Sequence, residues 1–205
     1  MGDKLSVIRD LKYIKLNDDQ VDILSDNIAD YFKEMSNTSD NVSREGFIDL
    51  TNLYLYEHGL IENKGLKDYV LTDFLESNQY LISDRKVPTY LFETSLMDLR
   101  LGSDLSLLDY TDNEYFDIFK EFVVLNVLSI NNEKLSKEVL KKTGIQVDRK
   151  FLRILSYYSA LYCVHLTILM DREEDVDQRL VLDEKMKDMF DLYEDFTIFT
   201  PNWFK

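Results

Sequence analysis

Cysteine, proline, glycine, histidine and alanine are all scarce in this chain, and each shortage excludes something. Cys163 is the only cysteine, so no intrachain disulfide framework exists and a reducing compartment is the simpler expectation. Two prolines and six glycines in 205 residues are too few for the turns of a sheet protein, which favours helices joined by short loops. Neither histidine has a glutamate three residues before it, so the carboxylate–histidine motif of di-iron helical bundles is missing. Two histidines and one cysteine also leave too few ligands for structural zinc. No phosphate-binding Walker loop, dinucleotide-binding glycine fingerprint or nucleophile elbow occurs. Alanine is limited to Ala29 and Ala160 while tyrosine reaches 13. That bias fits an AT-rich genome, such as that of a phage or a large DNA virus.

Hydrophobic residues make up 45% of the chain and charged residues 31%, an ordinary globular balance. The net charge is −15, which repels phosphate backbones and anionic membranes and attracts basic partners. No charged segment followed by an apolar run opens the sequence, so a cytoplasmic location is expected. Met1-Gly2 with Ser6 fits the loosest myristoylation pattern, but Asp3 is unfavourable for the acyl transferase.

Apolar periodicity predicts an all-α protein: a compact multi-helix bundle of about eight helices around a long apolar central helix at 151–170. Residues 1–195 form a single helical domain and 196–205 an aromatic tail. A short helix is expected around Leu5–Tyr13. Asn17 or Asp18 caps a helix with Val21, Leu24, Ile28, Tyr31 and Met35 on one face. Ser43 caps a second, carrying Phe47, Leu50, Leu53 and Tyr54 and stopped by Gly59. A third carries Leu66, Tyr69, Val70 and Phe74. Residues 80–87 read as extended, and Pro88 opens a helix through Leu91, Phe92, Leu96 and Leu99. Asp112 caps an amphipathic helix, and Asn131 or Asn132 starts a short basic one that ends at Gly144. Asp148 caps the central helix, and Leu182, Met186, Met189, Phe190 and Tyr193 stripe the last one. Residues 151–170 have the length of a membrane span. Arg153, His165 and three tyrosines inside it, with acids directly after it, favour a buried core helix, and no membrane association is expected.

No constellation argues for catalysis. Cys163 and His165 are two residues apart, which on a helix points them to different faces and gives no nucleophile–base pair. Residues 41–52 and 175–186 resemble the calcium loop of EF-hands in part. The twelfth position, where that loop needs a bidentate glutamate, is Asn52 in one and Met186 in the other. The protein is expected to be non-enzymatic and to need neither cofactor nor metal.

The informative feature is charge. Lys134, Lys137, Lys141, Lys142, Arg149, Lys150 and Arg153 form one basic island, opposed within it only by Glu138 and Asp148. The same stretch has the outline of a helix-turn-helix, with 135–143 as first helix, Gly144-Ile145 as turn and 148 onward as recognition helix. Lys150 and Arg153 would then stand where such a helix packs apolar residues. The opposite pole, Asp171–Asp195, holds eleven carboxylates. Trp203 and Phe204 in the tail either strap onto the core or anchor a partner.

The leading expectation is a protein–protein interaction or assembly protein. Its partner is another protein, further copies of this chain included, bound through the seven basic residues and through Trp203 and Phe204. Nucleic acid is not the expected partner. The alternatives are an acidic inhibitor or nucleic-acid mimic of immunity or anti-defence type, and a helix-turn-helix DNA-binding regulator acting through 134–153.

Overall fold

A computed structural model describes residues 6–38, 44–88, 91–92, 96–108 and 116–205. It is an all-α protein, 70% helical, with seven helical segments among the described residues rather than about eight. They are α1 (Asp18–Thr38), α2 (Phe47–Gly59), α3 (Leu66–Asn78), α4 (Ile118–Thr143), α5 (Arg149–Arg172) and α6 (Val176–Leu192), with α4 broken in two at Asn132. Five very short strands flank them: β1 (Ser6–Val7), β2 (Arg44–Gly46), β3 (Lys86–Pro88), β4 (Arg100–Leu101) and β5 (Leu107–Leu108). All pairing is antiparallel, in the order β1-β4-β5 and, separately, β2-β3.

Two helices share the centre. α5 packs against α2, α3, α4 and α6, and Tyr157, Tyr158, Ala160, Leu161, Cys163 and Val164 in it are fully buried. It is the one described helix long and apolar enough to cross a membrane, yet 78% of its apolar window is buried inside the protein. The first half of α4 is covered just as completely, every residue from Phe119 to Ser129 being buried. A helix apolar on all sides needs neighbours on all sides, and each of this pair supplies one for the other.

Local signals place most helix ends. The Asn17 side chain accepts from the Gln20 amide at 2.9 Å while the Gln20 side chain accepts from the Asn17 amide at 3.0 Å, a reciprocal cap. The five apolar residues expected on α1 are all buried. The Asp148 carboxylate accepts from the Phe151 amide at 2.7 Å and opens α5. Gly144 ends α4 with φ +69°, a conformation that costs a side-chain-bearing residue roughly 1 kcal/mol. At Asn132 the backbone leaves helical geometry (φ −135°, ψ 50°). Its side-chain amide donates to the carbonyls of Leu11 and Ile14 and accepts from the Leu16 amide at 2.8–2.9 Å. The break thus satisfies the backbone of the loop that leaves the 3-10 helix Ile8–Tyr13, the form taken where a short α-helix was expected.

Several expectations are corrected. Of residues 80–87, read as extended, only Lys86 and Val87 are strand, while Tyr80 and Leu81 belong to the 3-10 turn Gln79–Leu81 and 83–84 form a turn. Residues 44–46 are strand rather than first helical turn, because Arg44, Glu45 and Gly46 pair with Pro88, Val87 and Lys86. Pro88 therefore ends a strand and opens no helix. Beyond it the described residues form a turn at 91–92, a 3-10 turn Leu96–Asp98 and strand β4. In α2, Leu53 is 51% exposed. In α3 the buried face is Leu71, Phe74 and Leu75, while Leu66 (82% exposed) and Tyr69 (64%) face outward. The rotation follows Asp68, whose carboxylate caps Gly65 at 2.7 Å and meets His58 of α2 at 3.0 Å, fixing which side of α3 turns inward. Met1-Gly2, Ser43 and Asp112 themselves lie outside the described residues, but α2 begins at Phe47 and α4 at Ile118, where Asp117 is the cap.

The tail belongs to the same core. Glu194, Asp195 and Phe196 all have positive φ, between 49° and 58°, and turn the chain back after α6. The Phe196 ring stacks on Tyr193 at 5.3 Å and 11°. Trp203 is 4% exposed and donates its indole N–H to the Asn126 side-chain oxygen at 2.9 Å.

Candidate functional site: a basic cleft at the head of α5

The basic island divides into two groups with different surroundings. Lys134, Lys137, Lys141 and Lys142 stand on the second half of α4, where each meets a carboxylate. Lys134 reaches Asp18 at 2.6 Å, and Lys142 reaches Asp22 at 2.7 Å and Asp26 at 2.9 Å, so both brace α4 against α1. Lys137 pairs with Glu133 at 2.6 Å and Lys141 with Glu138 at 3.3 Å along the helix. The ammonium groups of Lys134 and Lys142 hold the Asp18 and Asp22 carboxyls below the usual carboxylate range. Exposed pairs of this kind are screened by solvent and contribute little to stability.

Arg149, Lys150 and Arg153 have different neighbours. The first two turns of α5 carry them into a cleft of about 790 Å³, closed on its other sides by the 3-10 turn Gln79–Leu81, residues 83–85 and the β2–β3 pair. Arg44 of β2, Arg85 and Lys86 of β3 enter the same cleft, so six cationic side chains line it against one carboxylate, Asp84. The β2–β3 register explains the meeting, since Gly46 opposite Lys86 and Arg44 opposite Pro88 bring two distant basic segments side by side.

These cations are held in different ways. Arg85 is structural: it reaches Asp117, the cap of α4, at 2.9 Å, donates to the Tyr158 hydroxyl at 2.5 Å and lies 4.5 Å from the Phe119 ring centre. Arg153 lies 4.5 Å from the Phe199 ring centre and 6.0 Å from Tyr80, and its Nε makes no hydrogen bond. Stacking orients the guanidinium, whose Nε is buried. Lys86, Arg149 and Lys150 are exposed and make no ion pair among the described residues. The positive end of α5 adds to the field there, offset in part by Asp148. Tyr80, 58% exposed, and Leu81 give the cleft an apolar side.

Of the nine residues expected to bind a partner, the structure brings Arg149, Lys150 and Arg153 together. It places the four lysines of α4 against α1 and within their own helix, and it buries Trp203. Phe204 is partly exposed and packs edge-on against Trp203 at 5.8 Å. Sequence reasoning missed Arg44, Arg85 and Lys86. Arg85-Lys86 is visible as a basic pair, but its partner group lies more than sixty residues along the chain.

Other chemistry is confined. Burial pushes the Cys163 thiol well up and the His165 imidazole down to about 4. The second EF-hand-like segment is helical from Val176 onward, with Asp175 as its cap, which holds its carboxylates along a rod instead of around an ion. Among the described residues no three histidine, cysteine, aspartate or glutamate side chains gather to hold a metal. In the helix-turn-helix outline, Phe151, Leu152, Ile154 and Leu155 of the would-be recognition helix are buried, so little beyond its first two turns reaches solvent.

No family model matches this chain, and neither does any curated protein or solved structure.

Proposed function

We propose that this is a non-enzymatic, cytoplasmic interaction protein that takes an acidic segment of another protein into the basic cleft at the head of α5. The observation that carries the reading is the convergence of six cationic side chains from three parts of the sequence on one cleft, in a chain of net charge −15. Gathering like charges is unfavourable unless an anion answers them. Lys86, Arg149 and Lys150 have no answering carboxylate among the described residues. The size of the cleft favours a short acidic peptide over a duplex. A duplex needs a basic track along its backbone, and the adjoining lysines of α4 are matched to carboxylates. Tyr80 and Leu81 add a surface for an apolar side chain of the same segment. A second copy of this chain is one source of such a segment, because α6 presents acids beside the exposed Val176 and Leu180.

The test uses a fluorescent octaglutamate peptide and a duplex DNA of similar length, read by anisotropy. The peptide is expected to bind. Reversing Lys86, Arg149 and Lys150 to glutamate is expected to weaken it at least tenfold, about 1.4 kcal/mol, with helix content unchanged. Reversing Lys137 and Lys141 instead is expected to leave it intact. Equal binding by the cleft variant and the native chain overturns the reading, and tighter binding of the duplex moves the DNA-binding alternative ahead of it.

A further inference from the structure

A second cavity, separate from the cleft, lies inside the bundle between α4, α5 and α6, where the 3-10 helix Ile8–Tyr13 and the turn Leu96–Asp98 close over it. Its volume is about 170 Å³, somewhat above the size of engineered cavity that takes up benzene. Val123, Val124 and Leu166 form an apolar floor. Phe92, Tyr162 and His165 form an aromatic wall, with ring centres 5.3–6.4 Å apart. Burial drives His165 down to about 4, so this wall is uncharged at neutral pH.

The polar end of the cavity is out of balance. Arg9, Lys120, Lys185 and Asp98 line it. Arg9 and Asp98 approach only to 3.7 Å, and Lys120 is held by the buried Glu121 at 2.9 Å. Lys185 is partly buried and has neither a hydrogen bond nor an ion pair among the described residues; Arg9, of the same charge, and Asp98, of opposite charge, both act on it. A partly buried ammonium that shares one nearby carboxylate with a second cation is incompletely neutralised. An excess of cationic side chains at one end of an aromatic-walled cavity is the complement of a small amphipathic anion.

We propose that this cavity binds a small monocarboxylate, its ring or short acyl body against Phe92, Tyr162 and His165 and its carboxylate on Lys185 and Arg9. A monoanion balances the excess of positive charge, and a flat body of six to nine heavy atoms fills the volume. The site stands independently of the basic cleft and of the function proposed for it.

The test is titration of the full chain with benzoate, followed by backbone amide shifts and by calorimetry, with benzyl alcohol as the neutral counterpart. Benzoate is expected to move the amides of 162–169 and 182–185 saturably, with Kd in the range of about 10 μM to 1 mM for a ligand of this size. Benzyl alcohol is expected to bind at least about tenfold more weakly, the order of one charge-assisted contact. Lys185→Met keeps the aliphatic stem and is expected to erase that preference. Leu169→Trp, at a residue 37% exposed beside the cavity, is expected to block both ligands while leaving the basic cleft untouched. If Lys185→Met fails to fold, the preference measured on the native chain and the Leu169→Trp block still decide. Equal affinity for the two ligands, no binding at all, or shifts confined to 149–153 overturns the proposal.

Discussion

His165 shows how one residue's surroundings set a property of the whole chain. Tyr54, Phe92 and Tyr162 enclose its ring, and burial lowers its proton affinity from the ordinary 6.5 to about 4. The unfolded chain takes up a proton near pH 6.5 and the folded chain does not. Stability contributed by neutral His165 is therefore complete above about pH 6.5 and falls as the pH drops towards 4, below which the loss levels off. The span corresponds to a loss of about 3 kcal/mol. Urea unfolding between pH 7 and 4 is expected to show that slope in the native chain and a flatter one in His165→Phe; parallel profiles would remove the effect from His165. The burial was legible in part, since position 165 falls inside the most apolar stretch. The aromatic cage was not, because Tyr54 and Phe92 arrive from far upstream.

At the scale of elements, the tail is the part whose role changes most between sequence and structure. An aromatic segment after the last helix reads equally well as core strap or as partner anchor, and in the structure Trp203 is buried in the core. Trp203 closes a polar network inside the core: its indole N–H meets Asn126, whose amide donates to Ser159 at 2.9 Å and to Tyr193 at 3.1 Å. Asn126 alone links three elements through buried polar groups, and such networks are costly to leave half satisfied. Deleting residues 197–205 removes a buried tryptophan, worth roughly 3–5 kcal/mol, and leaves Asn126 short of a donor. The melting temperature is expected to fall by about 10 °C or more while peptide binding in the cleft persists in the cold. An unchanged melting temperature would return the tail to the role of anchor. Caps such as Asn17, Asp148 and Gly144 were readable because a cap is a local arrangement of adjacent residues. The strand at 44–46 was not, because its reason for being extended is Lys86–Pro88.

Across the whole molecule the excess of acid is not spread evenly. The carboxylates at the start of α1 neutralise Lys134 and Lys142 of α4, and those of α6 collect Lys12, which contacts both Glu184 and Asp188. The head of α5 is left as a positive recess in a negative surface, a pattern that would steer the proposed acidic partner to one place. Peptide binding there is expected to weaken by roughly an order of magnitude between 50 and 300 mM salt, because screening acts on exposed charges over about a Debye length. The α1–α4 pairs contribute little, so the melting temperature is expected to move by only a few degrees over the same range. Affinity insensitive to salt would mean that Tyr80 and Leu81, rather than the cations, hold the ligand.

The sequence by itself determined the helical class, the long apolar helix and most helix ends, since spacing, capping residues and glycine act within a few residues of one another. It also located half of the cleft, as the basic residues at the head of α5. Only the tertiary structure decided which lysines are neutralised, which face of α3 turns inward, and that Arg44, Arg85 and Lys86 complete the recess. The physical reason is distance along the chain. A helix is encoded by neighbours, whereas the partner of a charge is whatever carboxylate or cation the packing of remote segments happens to bring within a few ångströms.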